Sequence, residues 1–263
     1  MDLQIITEKV CNIARLTGKF IYKELHELSA EDIETKSKNN FVTYVDKKAE
    51  QILVDELKTV IPGSGFITEE KTVKNARKEY TWIIDPLDGT TNYINHIPIY
   101  SVSIALMQHN EPIMGVVFEI NTKECFYAYK GAGAYLDGKE IRVSRVAKLS
   151  GALLATGFPY YDYRALDNYI HLLKGCMKYT TGIRRLGSAA VDLAYVACGR
   201  FEIFFEYGLN PWDVAAGAFI VKQAGGRVTD FRNGNDFLFG QEIIASNSIT
   251  HNAFMDLLQK SFA

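Results

Sequence analysis

Two carboxylates stand beside a glycine–threonine turn in residues 82–92, WIIDPLDGTTN, where Asp85 and Asp88 are three positions apart. Carboxylate oxygens are the ligands that Mg²⁺ prefers in proteins. Backbone N–H groups at the start of a helix bind phosphate. This segment therefore offers both halves of a metal-assisted phosphate site.

The backbone of this segment separates the two acids. Pro86 favours an extended conformation at Asp85, which places Asp85 at the tip of a strand with Asp88 across a turn. Leu87, between them, can offer only its backbone carbonyl. Two carboxylates about 4 Å apart repel by roughly 4 kcal/mol at an effective dielectric of about 20. A bound divalent cation or a proton on one of them removes that cost. An Asp-Gly step alone also suits an ordinary turn.

Acids elsewhere in the chain strengthen the metal hypothesis. They follow apolar residues in three stretches: FVTYVD ending at Asp46, FITEE ending at Glu69 and Glu70, and PWD ending at Asp213. Taken singly, the middle pair suits a solvated loop. The other two acids suit helix N-termini, where each contributes about 0.3–1 kcal/mol. Their joint occurrence with the first two acids is what a two-metal phosphatase requires.

The elements that must position these acids are predicted from the periodicity of apolar residues. Helices are predicted over 2–28, 45–60, 163–177, 188–198, from Pro211 to Gly225-Gly226, and over 249–258. Strands are predicted over 83–84, 100–107, 113–120, 125–129, 153–156, 201–207 and 243–245. Residues 29–40 are predicted to form a loop or flexible arm. The block 100–143 should be a largely antiparallel sheet, within α/β layers that divide into two sub-regions near 143–152.

Composition narrows the classes of function. The chain has 263 residues, with 29 basic and 31 acidic side chains and a formal net charge of −2. That balance argues against nucleic acid or a polybasic membrane-surface contact as a partner. The four cysteines form no Cys-x-x-Cys pair, which favours reduced, mostly buried thiols in a cytoplasmic protein. Neither a secretory signal nor an apolar span of about 20 residues is expected.

The acidic blocks together resemble the inositol monophosphatase family, within the lithium-sensitive, magnesium-dependent phosphatase superfamily. The matching pieces are Val42-Thr43-x-x-Asp46, Phe66-Ile67-x-Glu69-Glu70, the 82–92 segment, Gly187-Ser188-Ala189-Ala190, Glu206-Tyr207-Gly208 and Pro211-Trp212-Asp213-x-Ala215-Ala216-Gly217. Their order and spacing hold from about residue 36 to 247. The resemblance implies an α+β fold, a layered αβαβα sandwich of the sugar-phosphatase type with mixed and antiparallel sheets. It also implies a single domain over 1–263, with a metal and phosphate half over about 1–147 and a substrate half over 148–263.

The resemblance implies two Mg²⁺ ions per subunit and a third, looser one. Glu69, Asp85 and the Leu87 carbonyl would hold the first ion. Asp85, Asp88 and Asp213 would hold the second, so that Asp85 bridges the two. The third ion would lie near Glu69 through water. The expected reaction is hydrolysis of a small phosphate monoester, inositol 1-phosphate, by metal-activated water. A homodimer is also implied.

The same resemblance assigns the groups around the reacting phosphate. Thr90 and Asp46 would orient the attacking water, with Glu69 beside them as a catalytic group. The N–H groups of Gly89 and Thr90 would hold the phosphate, next to Asp88. The alcohol side and its surroundings would be lined by Gly187, Ser188, Ala189, Glu206 and Arg184, with Lys36 as a further possibility.

Two departures from the family pattern concern the arm that carries Glu69. Thr68 stands where the family often has glycine, and Lys71-Thr72 replaces the usual small residue after Glu70. These changes are expected to alter the arm and weaken a third metal. The direct ligands are intact.

Several alternatives stay open. Within the superfamily they are fructose-1,6-bisphosphatase and adenosine 3′,5′-bisphosphate phosphatase; the motif Thr91-Asn92-Tyr93 followed by Ile97-Pro98 resembles the inositol monophosphatase branch instead. A haloacid dehalogenase mechanism, with an aspartyl nucleophile in DxDGT, is disfavoured because two residues separate Asp85 from Asp88. A different class of function is that of a regulatory binding protein that keeps the fold. The intact acids favour a working enzyme over this alternative.

Overall fold

A computed structural model of the chain describes residues 1–37, 40–159 and 163–262. Within them lie seven α-helices: α1 (Leu3–Glu24), α2 (Tyr44–Val60), α3 (Thr90–Ile94), α4 (Leu166–Tyr179), α5 (Ala189–Ala197), α6 (Pro211–Gln223) and α7 (His251–Phe262). None of these described helices is long and apolar enough to cross a membrane.

The strands of the described residues form three sheets. A hairpin consists of β1 (Ile33–Ser37) and β2 (Asn40–Thr43). A seven-stranded sheet runs in the order β3 (Gly65–Thr68), β4 (Tyr80–Asp88), β5 (Ser101–Gln108), β6 (Glu111–Glu119), β7 (Cys125–Tyr129), β8 (Ala134–Leu136) and β9 (Lys139–Ile141). A five-stranded sheet contains β10 (Leu153–Thr156), β11 (Gly182–Arg184), β12 (Ile203–Tyr207), β13 (Arg227–Thr229) and β14 (Glu242–Ser246), in the order β11-β10-β12-β14-β13.

Both larger sheets are mixed. In the seven-stranded sheet β3 pairs with β4 in parallel, and every other neighbouring pair is antiparallel. In the five-stranded sheet β10 runs parallel to β11 and β12, while β14 runs antiparallel to β12 and β13. The break between the two sheets falls between Ile141 and Leu153, where the sequence predicted the change of sub-region.

The apolar faces stack these elements into five layers. Helices α1 and α2 pack on one face of the seven-stranded sheet, and α5 and α6 fill the space between the two sheets. Helices α4 and α7 pack on the outer face of the five-stranded sheet. Because alternate strand residues face opposite sides, Trp82 and Ile84 of β4 pack toward α1 and α2, and Ile83 packs toward α6. The predicted αβαβα sandwich is confirmed.

Helix α6 fits between two sheets because it is apolar on nearly every side. It also approaches β6 closely: a Cβ at Gly115 would lie 2.6 Å from the Ala216 carbonyl oxygen. Only glycine leaves room for this contact, which fixes the position of the whole helix. The N-terminus of α6 carries Asp213, so the packing of α6 sets where that carboxylate lies.

Three predictions of local structure were wrong in detail. The segment 29–40 contains β1 and reaches the first residue of β2, although residues 38 and 39 lie outside the described part. Its strands are too short for their alternation to stand out. Strand β4 does not end at Asp85 but continues to Asp88, and its pairing with β5 shifts register between these two residues. Pro86 has no N–H, so it interrupts the ladder without ending the strand. Helix α1 ends at Glu24 rather than at residue 28.

Candidate active site

The end of β4 carries the first group of predicted site residues. Asp85 is 2 % exposed and its Oδ1 accepts a hydrogen bond from the Leu87 N–H at 2.9 Å. Leu87 is buried, and its carbonyl accepts a hydrogen bond from Thr90 Oγ1 at 3.0 Å. The pairing of β4 with β5 shifts register between Asp85 and Asp88, so the ladder is irregular at Leu87. One short segment thus gathers carboxylate and carbonyl oxygens.

Negative charges from its own strand and from two other segments act on Asp85. Burial raises the pKa of Asp85 well above its ordinary value, and the charges of Glu69, Asp88 and Asp213 raise it further. The pKa of Asp213 is raised in the same way, first by burial and then by Glu69 and Asp88. Four acids from β4, from the segment after β3 and from α6 therefore share one electrostatic environment.

Asp88 is tied to the second half of the chain. Its Oδ2 accepts hydrogen bonds from Ser188 Oγ at 2.6 Å and from the Ala190 N–H at 2.7 Å. Ser188 is the N-cap residue of α5, so these donors belong to the start of that helix. Burial raises the pKa of Asp88 to about 6, although the hydrogen bonds from α5 oppose the shift. The carboxylate joins the seven-stranded sheet to the layer of helices behind it.

Asp46 and Thr90 form a second tie across the site. Thr90 Oγ1 lies 2.9 Å from Asp46 Oδ1, and the Thr43 N–H and hydroxyl donate to Asp46 Oδ2 at 2.7 and 2.6 Å. Asp46 is therefore both the capping-box acid of α2 and the partner of Thr90. Its burial raises the pKa, while these hydrogen bonds lower it. The helix-cap role weighed from the sequence is confirmed, and the same carboxylate also contacts Thr90.

The segment that carries Glu69 is held by a residue that the sequence did not single out. Glu50 on α2 is fully buried, and its Oε2 accepts from the Glu70 N–H at 2.7 Å. Its Oε1 accepts from the Thr72 N–H and hydroxyl, both at 2.7 Å. Thr72, one of the departures from the family pattern, is thus an anchor of this arm. A signal existed in the sequence: Glu50 follows Asp46 by four positions and shares its helix face.

A cavity of about 150 Å³ lies between the acids of β4 and the five-stranded sheet. It is bordered by Asp88, Thr156, Gly157, Arg185, Gly187, Ser188, Ala189, Asp192, Glu206, Leu209 and Asp213. On β12, Glu206 lies on the same face as Phe204, which packs toward α5 and α6. Burial raises the pKa of Glu206 to about 8, with Arg185 lowering it and Asp88 raising it. The predicted alcohol-side residues 187–189 and 206 are brought together here.

Two glycines with positive φ allow the segments around the cavity to meet. Gly89 (φ +99°) is the N-cap of α3, and a Cβ there would lie 3.2 Å from the Gly187 carbonyl oxygen. Gly187 (φ +91°) lies against Asn92. The Asn92 side chain donates to the carbonyls of Ile99 and Leu186, both at 2.8 Å. The motif 89–92 is therefore held to the segment 186–187 by the Asn92 side chain and by the close approach of the backbone at Gly89.

Some predicted residues are not brought to this cavity. Arg184 is exposed on the edge strand β11, and its Nη1 donates to the Ile183 carbonyl at 3.1 Å. The neighbouring Arg185 borders the cavity instead. Lys36 falls on β1, and its side chain lies outside the described residues.

The donor set was tested against the divalent metal that the resemblance implies. Among the described residues, no three His, Cys, Asp or Glu side chains converge as a formed metal site. In chemical type the donors fit: Asp85, Asp88, Asp213, Glu69 and the Leu87 carbonyl supply only oxygens. Asp85 uses one oxygen to accept the hydrogen bond from the Leu87 N–H. Asp213 uses one oxygen to accept a hydrogen bond from the Asn210 N–H at 2.6 Å. Mutually repelling carboxylates of this kind, of which Asp85 and Asp88 are buried, are stabilised by a bound cation.

Fold and site together define a class of protein, the layered sugar-phosphatase type. The model of the inositol monophosphatase family matches residues 2–262, and the chain belongs to this family of inositol-phosphate phosphatases.

Its relatives carry two kinds of name. The chain is 41% identical over 251 residues to the Nus factor SuhB of Pseudomonas aeruginosa, covering 94% of this chain and 93% of that protein. It is 36% identical over 248 residues to an inositol-1-monophosphatase of Mesorhizobium japonicum, with the same coverage. The crystal structure of the extragenic suppressor protein SuhB from Bartonella henselae superposes with a TM-score of 0.91 at 35% identity, over 97% of this chain and 99% of that one.

Proposed function

We propose that this protein is a magnesium-dependent phosphomonoesterase that hydrolyses inositol 1-phosphate to inositol and phosphate. The observation that carries the proposal is the shared electrostatic environment of Asp85, Asp88, Asp213 and Glu69, four acids from three segments. Such a group is costly in a protein interior unless a cation binds there. The 36% identity to a named inositol-1-monophosphatase supports the choice of substrate.

Each direct ligand is assigned from this group. Glu69, Asp85 and the Leu87 carbonyl would hold one Mg²⁺, and Asp85, Asp88 and Asp213 a second, with a third near Glu69. When bound, the ions supply an activated water and neutralise charge on the phosphate and the leaving oxygen. Hydrolysis of a phosphate monoester needs little else from the protein beyond positioning.

The protein's own groups would position the reactants. Thr90 Oγ1 contacts both Asp46 Oδ1 and the Leu87 carbonyl. The hydroxyl has one proton to share between these two acceptors, which restricts its orientation, and its lone pairs can accept a hydrogen bond from a water molecule beside it. Asp46 would polarise that hydroxyl by accepting its hydrogen bond. The Gly89 and Thr90 N–H groups lie at the start of α3 and would bind phosphate oxygens.

The alcohol half would occupy the cavity bordered by Glu206. Its volume of about 150 Å³ is below the roughly 300–1,000 Å³ of pockets for drug-sized ligands, which favours one sugar-sized ring over a nucleotide. Glu206 would accept a hydrogen bond from a ring hydroxyl. Glu206→Gln should mainly change substrate preference, and an equal loss on every substrate would place Glu206 in the chemistry instead.

A substrate panel tests the proposal. Phosphate release is measured from inositol 1-phosphate, fructose 1,6-bisphosphate and adenosine 3′,5′-bisphosphate, with Mg²⁺, with chelator, and with Mg²⁺ plus Li⁺. We expect Mg²⁺-dependent, Li⁺-inhibited release that is fastest from inositol 1-phosphate. A preference for either bisphosphate would move the assignment within the superfamily, and a trapped phosphoenzyme at Asp88 would overturn attack by water.

A second candidate function is regulatory. The specific observation in its favour is the 41% identity to proteins named Nus factor SuhB in Pseudomonas aeruginosa and Escherichia coli. A chain acting only in this way would release no phosphate from any sugar phosphate. Affinity capture of transcription components by a catalytically dead variant such as Asp85→Asn would then identify the role.

We also propose a homodimer. Ile170 and Met177 lie seven residues apart on α4 and are 44% and 69% exposed, and Tyr163, just before this helix, is 51% exposed. Beside this helix lies β11, the edge strand of its sheet. Apolar side chains at heptad spacing favour packing against another helix. Light scattering on the purified protein should give twice the mass of 29.6 kDa; a monomeric mass would exclude the dimer.

A further inference from the structure

Asp192 is a buried acid that neither the family resemblance nor the acidic blocks of the sequence single out. It lies in the first turn of α5 and is 1% exposed. Its Oδ1 has no hydrogen-bond partner within the described part of the chain. A buried carboxylate oxygen without a donor is among the least stable arrangements of a polar group in a folded protein.

The surroundings of Asp192 are those of the substrate cavity. Asp192 borders the same 150 Å³ space as Glu206 and Arg185. The charges of Glu206 and Asp88 raise its pKa beyond what burial does, and Arg185 lowers it. Two acids and one arginine thus face a single small space next to Asp88.

A simpler explanation is that an acid near a helix N-terminus interacts with the helix dipole. That effect contributes about 0.3–1 kcal/mol where the acid is exposed. It does not offset the desolvation of a carboxylate that is enclosed by an apolar helix and lacks a donor for one oxygen. Ser188 already caps α5, with its hydroxyl accepting from the Val191 N–H at 3.4 Å. The helix start is therefore capped without Asp192, and capping gives no reason for an acid at this position.

We propose that Asp192 is a specificity-determining residue that accepts a hydrogen bond from a hydroxyl of the alcohol bound in this cavity, beside a second hydroxyl read by Glu206. This inference rests on the proposed phosphatase function and sharpens it. The substrate class becomes the phosphate esters of alcohols with at least two further hydroxyls on one face of a small ring. The substrate hydroxyl supplies the donor that the protein does not.

Two variants and two substrates test the role. Inositol 1-phosphate carries the hydroxyls, whereas p-nitrophenyl phosphate carries none. Asp192→Leu fills the same space without an acceptor, and we expect its kcat/KM for inositol 1-phosphate to fall by roughly 10- to 100-fold, mainly through KM. Its kcat/KM for p-nitrophenyl phosphate should stay within about twofold. Asp192→Asn keeps one acceptor oxygen and should recover part of the loss.

The matched control is Asp167→Asn, the same change at an exposed acid in the first turn of α4, which should leave both substrates unaffected. Equal losses on both substrates would mean that Asp192 acts through the position of α5, and this would overturn the proposal. So would unchanged kinetics on both. Thermal unfolding tests the folded state, and Asp192→Leu should not lower Tm because it removes a buried polar atom that lacks a hydrogen-bond partner.

A binding measurement separates this inference from the proposed function. Free myo-inositol, titrated by calorimetry in the presence of phosphate and Mg²⁺, should bind the wild type about tenfold more tightly than Asp192→Leu. If the wild type binds inositol in this way but hydrolyses no ester, the inference stands and the proposed function fails. If it hydrolyses inositol 1-phosphate but both proteins bind inositol equally, the inference fails alone.

Discussion

The buried acids of helix α2 differ from those at the end of β4 in how they are partnered. Asp46 accepts hydrogen bonds from Thr43 and Thr90, and Glu50 accepts them from Glu70 and Thr72. These six donor groups, from four residues, hold the acids in place and tie α2 to the loops beside it. Such carboxylates contribute to the fold, because their hydrogen bonds replace the water that they lost.

The acids around β4 have fewer donors and more negative neighbours. Burial and the charges of Glu69, Asp88 and Asp213 act together on Asp85, against one hydrogen bond from the Leu87 N–H. Asp88 is intermediate, with firm donors from α5 and the same repulsion. The difference teaches that burial alone does not identify a site. Acids that have few hydrogen-bond donors and several negative neighbours are the better candidates for a ligand-binding site.

The largest effect should come from removing an under-partnered charge. Asp85→Asn should lower turnover of inositol 1-phosphate by on the order of 10³-fold or more, because the proposed bridge between the metals is lost. In chelator the same variant should unfold at a higher temperature than the wild type, because repulsion among the acids falls. Phosphate release and thermal unfolding measure the two effects. Asp55→Asn, a change at an exposed acid on α2, is the control. A Tm for Asp85→Asn below that of the wild type would contradict the difference between the acids of α2 and those around β4.

Asp88→Asn should lower turnover by orders of magnitude as well, but with the opposite effect on stability. An asparagine side chain has one neutral oxygen and one NH2 group. It therefore accepts hydrogen bonds from the Ser188 hydroxyl and the Ala190 N–H less well than the carboxylate does. Loss of charge-assisted bonds of this kind costs about 1.5–3 kcal/mol, partly offset by reduced repulsion. We therefore expect a Tm below that of Asp85→Asn in chelator. Equal Tm values would show that the α5 donors contribute little, and near-normal turnover would refute the ligand role.

A fully partnered acid should act on the reaction only through position. Glu50→Gln leaves the metal ligands unchanged but weakens the bonds that hold the segment 70–72, which follows Glu69. We expect roughly tenfold weaker apparent Mg²⁺ affinity, since Glu69 is then less well placed, with kcat at saturating Mg²⁺ largely retained. Limited trypsin digestion should cut faster at Lys71 or Lys74. Glu56→Gln, an exposed change on the same helix, serves as the reference, and an unchanged cleavage rate would remove Glu50 from this role.

The sequence predicted those parts of the site whose chemistry lies in short blocks. Asp85, Leu87, Asp88 and Gly89 are neighbours in the chain, and a motif can carry them. Glu50, Arg185 and Asp192 were missed because each depends on a tertiary approach. Arg184 and Arg185 are adjacent and chemically identical, so only the course of the chain after β11 decides which one meets the cavity.

The layers of the fold were predictable for a related reason. In long amphipathic helices and apolar strands, such as α1 and β5, the spacing of apolar residues in the sequence indicates which face is buried. The short elements β3, β8, β9, β11 and β13 have three or four residues each, too few for a period to emerge. The course of β4 beyond Pro86 was missed because a proline usually argues against a strand, and here it falls at an irregularity of the ladder.

The smallest expected effect on activity comes from a partnered group far from the acids. His251 is fully buried, with Nδ1 2.8 Å from Ser246 Oγ and Nε2 3.2 Å from Thr229 Oγ1. Burial, followed by the charge of Arg227, lowers its pKa to about 4. The unfolded chain takes up the proton near pH 6.5 and the folded protein only near pH 4, so stability is lost as pH falls between these values. Relative to His251→Asn, the wild type should lose roughly 3 kcal/mol of unfolding free energy over this range, measured by urea denaturation at each pH. Turnover at neutral pH should be unchanged, and parallel pH profiles of stability would mean that burial and the charge of Arg227 do not keep this ring neutral.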